Sequence, residues 1–122
     1  MAGVTTTEAQ ALLDARFPTS GATDHIAYSI NGTSEWANLA RTAVGATGWA
    51  AATAADPSVK ANNAVLTSAA CSAGGTVSHY AVYSASSGGT QRTDWTALAA
   101  SRALVTGDKL EWAIGTLVIT AT

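Results

Sequence analysis

Thr76-Val77-Ser78-His79-Tyr80-Ala81-Val82-Tyr83 is the stretch that decides the fold class of this chain. β-Branched or aromatic residues alternate there with small or polar ones, the period-two signature of a half-buried antiparallel strand. Ser86-Ser87-Gly88-Gly89 then turns the chain, and Thr93 to Leu98 predicts the next strand. Leu104-Val105 leads into the turn Thr106-Gly107-Asp108, and Leu110 to Ile114 follows as a further strand. Gly115 ends that run, and Leu117-Val118-Ile119-Thr120 is the last strand. A succession of short strands, each closed by glycine, points to a scaffold before it points to any chemistry.

Upstream, one clear helix is expected before Pro18, with two competing capping registers, Thr7 with Gln10 and Thr5 with Glu8. Leu12, Leu13 and Phe17 then lie near one face with Ala9, and Pro18 stops the helix by disfavouring the helical region at Phe17. His25 to Ile30 predicts a strand with Ile26, Tyr28 and Ile30 on one face. Asn31-Gly32 is a hairpin signal, because both residues accept positive φ, and the returning strand would hold Trp36 and Leu39. Gly45 to Ala55 is ambiguous between helix and strand around Trp49. Asp56-Pro57-Ser58 reads as a loop, Ala61 to Ala70 as a strand, and Ala73-Gly74-Gly75 as a turn. The expected architecture is mainly β: an antiparallel β-sandwich of about seven or eight short strands with one short N-terminal helix. The 122 residues are expected to form a single domain, with an N-terminal arm and helix over 1–20 and the sandwich over 24–122.

Only 11% of residues are charged, against about 25% in ordinary soluble domains. A surface so poor in charge suits a protein whose surface is occupied by neighbours, because interface cores are depleted in charge. Net charge is −2 with a pI near 5.4, and the isolated Arg16, Arg41, Arg92 and Arg102 form no basic run, so nucleic acid is not an expected partner. No apolar run approaches a signal-sequence core or a membrane span, so the expectation is a protein made and used in soluble form, with no membrane partner. The single Cys71 excludes an internal disulfide and reads as a small packing residue.

Candidate chemistry is sparse. His25 follows Asp24, but neighbours on a strand point to opposite faces, and His79 sits on the patterned strand. No serine lies in a Gly-x-Ser-x-Gly elbow, and no glycine run is followed by the Lys-Ser/Thr of a phosphate loop. Glu35, Asp56, Asp94, Asp108 and Glu111 fall at turns and strand ends, where solvated charge is ordinary. Neither an Asp-rich calcium loop nor a histidine pair at ligand spacing is present. Asn31-Gly32-Thr33 matches a glycosylation sequon by letter only. The expectation is no enzyme, no catalytic residue, no cofactor and no metal. Trp36, Trp49, Trp95 and Trp112 are expected as core or interface anchors, with stacking platforms for sugar as the functional alternative.

The patterned half resembles small bacteriophage virion proteins. The resemblance is carried by Thr76 to Tyr83 with Ser84 to Thr90, by Trp95-Thr96-Ala97-Leu98 and Ser101-Arg102-Ala103-Leu104, and by Gly107-Asp108-Lys109-Leu110 and Gly115 to Ile119. It is looser before Thr76, resting on Ile26-Ala27-Tyr28-Ser29 and Glu35 to Arg41. Such proteins, common in phages of actinobacteria, are labelled head decoration, minor tail or tail fibre proteins, and no catalytic residue belongs to their pattern. The chain lacks coiled-coil heptads and a collagen-like repeat, so the resemblance implies first a capsid decoration protein on the outside of the head. Its partners would then be the major capsid protein and copies of itself, as trimers. The second reading is a tail-tip or tail-fibre module binding host-surface glycan through exposed Trp36, Trp49 or Trp95. A cell-wall hydrolase is the third.

Overall fold

The computed structural model describes residues 5–45, 48–54 and 58–120. Among the described residues the fold is mainly β, with one short helix and eight strands, the class that the alternation predicts. The chain divides into two compact units that interleave along the sequence: Met1–Ala22, Val44–Val65 and Trp112–Thr122 in the first, Thr23–Ala43 and Leu66–Glu111 in the second.

In the first unit, helix α1 spans Thr6–Arg16. Of the two capping registers the Thr5 one forms: the Thr5 hydroxyl accepts from the Glu8 amide at 3.1 Å, an interaction worth about 1 kcal/mol. Phe17 closes the helix with its amide bonded to the Leu13 carbonyl, directly before Pro18. Ala9, Leu13 and Phe17, four residues apart, are buried, whereas Leu12 is 55% exposed, because one residue along a helix turns a side chain by about 100°. The Phe17 ring meets Trp49 edge-on at 5.7 Å. Strand β3 (Val59–Ala61) pairs antiparallel with β8 (Val118–Thr120), Lys60 opposite Ile119. The expected strand over 61–70 is not formed as one element; Ala61 ends β3, and a polar turn follows around buried Asn62. The Asn62 side chain donates to the Ala64 and Ala113 carbonyls and accepts from the Leu117 amide, so a wholly buried amide has every role filled. Within the ambiguous 45–55 stretch Trp49 makes an isolated bridge to Asn62, and no helix forms among the described residues. Of the expected 56–58 loop, Asp56 and Pro57 lie outside the described residues.

The second unit is built on a four-stranded sheet in which the strands at 42–43, 25–29, 75–83 and 96–104 lie side by side in that order. Its strands are β1 (His25–Ser29), β2 (Thr42–Ala43), β5 (Gly75–Tyr83) and β6 (Thr96–Leu104), with antiparallel ladders throughout. β1 pairs along its whole length with the second half of β5, from His25 opposite Tyr83 to Ser29 opposite His79. Both strands are therefore interior to the sheet, and Ala27 and Ser29 are buried as fully as Ile26 and Tyr28. The half-buried alternation expected there gives way to burial on both faces, while Ile30 beyond the strand end is exposed. β6 is longer than the sequence suggests, absorbing 99–103 into one edge strand. Between Val77 opposite Arg102 and His79 opposite Ala97, β5 advances two residues while β6 advances five, a large bulge that blunts the edge.

Asn31-Gly32 turns as expected, but no strand returns through Trp36 and Leu39; a single backbone bond joins the Trp36 amide to the Tyr28 carbonyl. The reason is the Asn31 side chain, whose Oδ1 accepts from the Thr33 and Ser34 amides and winds the chain into a compact loop. Trp36 is buried against Gly75, where a Cβ would stand 2.7 Å from the indole, so Gly75 opens β5 rather than serving as a turn. β4 (Leu66–Thr67) ladders with β7 (Glu111–Trp112), shorter than the expected 110–114 run, and Ile114 is exposed.

Candidate functional site

The residues first considered for chemistry are scattered. His25 and His79 lie four steps apart on the β1–β5 ladder, roughly 13 Å at the usual rise of a strand. His25 Nδ1 bonds the Thr23 carbonyl at 2.8 Å, and His79 Nδ1 meets the Ser78 hydroxyl at 2.7 Å. Cys71 is buried, its thiol donating to the Val105 carbonyl. Asp108 is turn chemistry: its carboxylate accepts from the Val105 amide beside Gly107 at φ +94°. Asp94 and Glu111 are exposed. Among the described residues, no group of three or more His, Cys, Asp or Glu could hold a metal ion, and no helix is long and apolar enough to cross a membrane.

The tryptophans separate clearly. Trp36, Trp49 and Trp112 are buried, which removes Trp36 and Trp49 from the set expected to meet glycan. Trp95 alone of the four is half-exposed. Its ring lies 6.2 Å from that of Tyr83, tilted by 54°, and Tyr83 is half-exposed too. The two rings form an aromatic shelf at the end of β5.

Arg41 underlies this shelf. Its guanidinium carbon sits 3.9 Å from the centre of the Tyr83 ring, a close cation–π contact. Nε and Nη2 engage both oxygens of Glu35, at 2.9 and 2.8 Å. Nη1 donates to the Ala85 and Gly88 carbonyls, at 2.9 and 2.8 Å, tying down the loop that follows β5. Only a fork with fixed donors can satisfy a carboxylate and two carbonyls together. The Glu35 hydrogen bond holds the guanidinium's pKa above its ordinary value, with burial opposing. Glu35 is exposed, as its turn position suggests, and is in addition paired through both oxygens to Arg41.

The rim is polar and neutral. The Tyr83 hydroxyl donates to Gln91 Oε1 at 3.1 Å, and Gln91 Nε2 donates to the Thr93 carbonyl at 2.8 Å. The Thr93 hydroxyl in turn accepts from the Val82 amide, which fixes the 91–95 segment against β5. Asp24, considered in the sequence only as the neighbour of His25, is buried and pairs instead with Arg92 at 3.2 Å, 68 residues along the chain. Elsewhere, a shallow hollow of about 500 Å³ lies between Ser101–Leu104 and Lys109–Glu111, without an aromatic wall.

A β scaffold that carries a half-exposed aromatic pair is consistent with the structural class of protein that the family match defines, here a bacteriophage structural protein of the virion. Residues 3–120 match the family described as podophage GP4 fiber I protein gp80, and the chain belongs to that family. No curated protein matches the chain.

Proposed function

We propose that the chain is a tail-fibre component that contacts the host surface, and that the Tyr83–Trp95 shelf is its contact site. The fibre description of the family supports this reading over capsid decoration, and it suggests a role in binding rather than catalysis. The observation that carries the site is Trp95. Three of four tryptophans are buried, and the fourth is left half in water beside a second ring that Arg41 holds in place. Rigid aromatics of this kind supply contact area at little entropic cost, and their polar tips direct hydroxyl-bearing ligands. Self-assembly into the fibre would account for the low surface charge.

Gold-labelled antibody against the chain, applied to intact virions, tests the placement. Labelling of the tail, with a handful of copies per particle on a stained gel, is expected. Labelling distributed over the head at copy numbers near the major capsid protein would reinstate the decoration reading.

A further inference from the structure

We infer that the Tyr83–Trp95 shelf takes an uncharged saccharide and turns away anionic ones, an inference that rests on the host-contact reading of the same site. Bacterial surfaces present both kinds of polymer, neutral hexose chains and chains bearing phosphate or carboxylate. Holding an anion requires a cationic donor with capacity to spare. Arg41, the guanidinium that lies on the Tyr83 ring, has none. Arg41 spends its donors on Glu35, Ala85 and Gly88, and its side chain is 7% exposed. Arg92, one residue beyond the Tyr83–Gln91 bridge, is engaged with buried Asp24.

What faces a ligand is neutral. Tyr83 Oη, having donated to Gln91, keeps acceptor capacity, and the Gln91 amide keeps a second N–H beyond the one given to Thr93. One donor and one acceptor beside an aromatic face match the alternating hydroxyls and apolar C–H face of a hexose ring. The surrounding charge opposes an anion as well. Arg41 and Arg92 are set against Glu35, Asp24 and the exposed Asp94 next to Trp95, leaving one negative charge in excess. Anionic polymers would thus be repelled over a range set by the Debye length.

The test is equilibrium binding of the purified full chain, followed by titration calorimetry, to neutral hexose oligosaccharides and to their uronate and phosphate counterparts. Binding by the neutral set alone is expected, changing less than about twofold between low and high salt. Trp95→Ala should weaken it at least about tenfold, in line with the loss of an aromatic anchor. Gln91→Lys, which adds a cation at the rim, should admit the acidic set. Preference of the unmodified chain for the acidic set, or steep salt dependence, would overturn the inference and leave the host-contact reading standing. Adhesion of the chain to host cells without binding either set would also overturn it. Failure to adhere to cells at all would instead remove the reading on which it rests.

Discussion

Replacing Asp14 by Ala is expected to destabilise the fold far more than replacing Lys60 by Met, although both changes break the same ion pair. Lys60 on β3 donates to Asp14 Oδ1 on α1 at 2.6 Å. The Lys60 side chain is 0% exposed, whereas 39% of the Asp14 side chain stays in water. Asp14→Ala strands the ammonium where water does not reach and also removes the acceptor of the Ala52 amide, so a cost of about 3–5 kcal/mol is expected. Lys60→Met leaves a carboxylate already half-hydrated and still bonded to Ala52, while Met fills the volume of the stem. That change should cost only about 0–1 kcal/mol. Urea denaturation gives both values from midpoint shifts at constant slope.

The same pair sets a pH dependence. The Lys60 hydrogen bond, and after it the Ala52 amide, hold the Asp14 carboxyl below its usual range. A carboxyl depressed on folding adds stability above its unfolded pKa of about 3.9 and loses that contribution as pH falls through its lower folded value. The unmodified chain should therefore weaken on acidification below about pH 4 more than Lys60→Met does. Equal destabilisation by the two substitutions, or a larger loss for Lys60→Met, would refute the argument from unequal burial.

Two further changes probe the second unit. Arg41→Ala should cost about 1–2 kcal/mol, because it removes a buried stem and leaves the part-buried Ala85 carbonyl without its donor, while exposed Glu35 rehydrates; urea melts read the loss, and proteolysis should begin within 84–90. Gly32→Ala combines φ +78° with a Cβ about 2.9 Å from the His79 ring, so about 1–3 kcal/mol is expected. Repeating it in a His79→Ala background should recover the steric share and leave the backbone share, which a thermal melt separates.

Local signals in the sequence carried the scaffold. The strand over 76–83, the Thr5–Glu8 cap and Pro18 each rest on signals within a few residues of themselves, and each is realised, although Tyr80, Ala81 and Val82 are buried in succession where alternation was expected. Strand lengths around 59–70 and 96–104 were not legible, because Ala, Thr and Ser fit strand and loop alike, and pairing partners decided between them. Even the Asn31-Gly32 signal misled, since the Asn31 side chain's own hydrogen bonds competed with a hairpin. Four tryptophans look equivalent in one dimension. Only the fold shows that Trp36 lies on Gly75 and Trp49 against Phe17, while Trp95 is half-exposed beside Tyr83. The Arg41 clamp reaches 44 and 47 residues along the chain to Ala85 and Gly88, beyond any local pattern.

The most direct test of the account is competition for adsorption. Host cells are saturated with the purified chain, then challenged with virions, and free phage is counted. The account predicts that the unmodified chain slows adsorption in a dose-dependent way, while Trp95→Ala, folded to the same melting temperature, does not. Equal blocking by Trp95→Ala, or no blocking by the unmodified chain at saturation, would contradict a host contact at the Tyr83–Trp95 shelf.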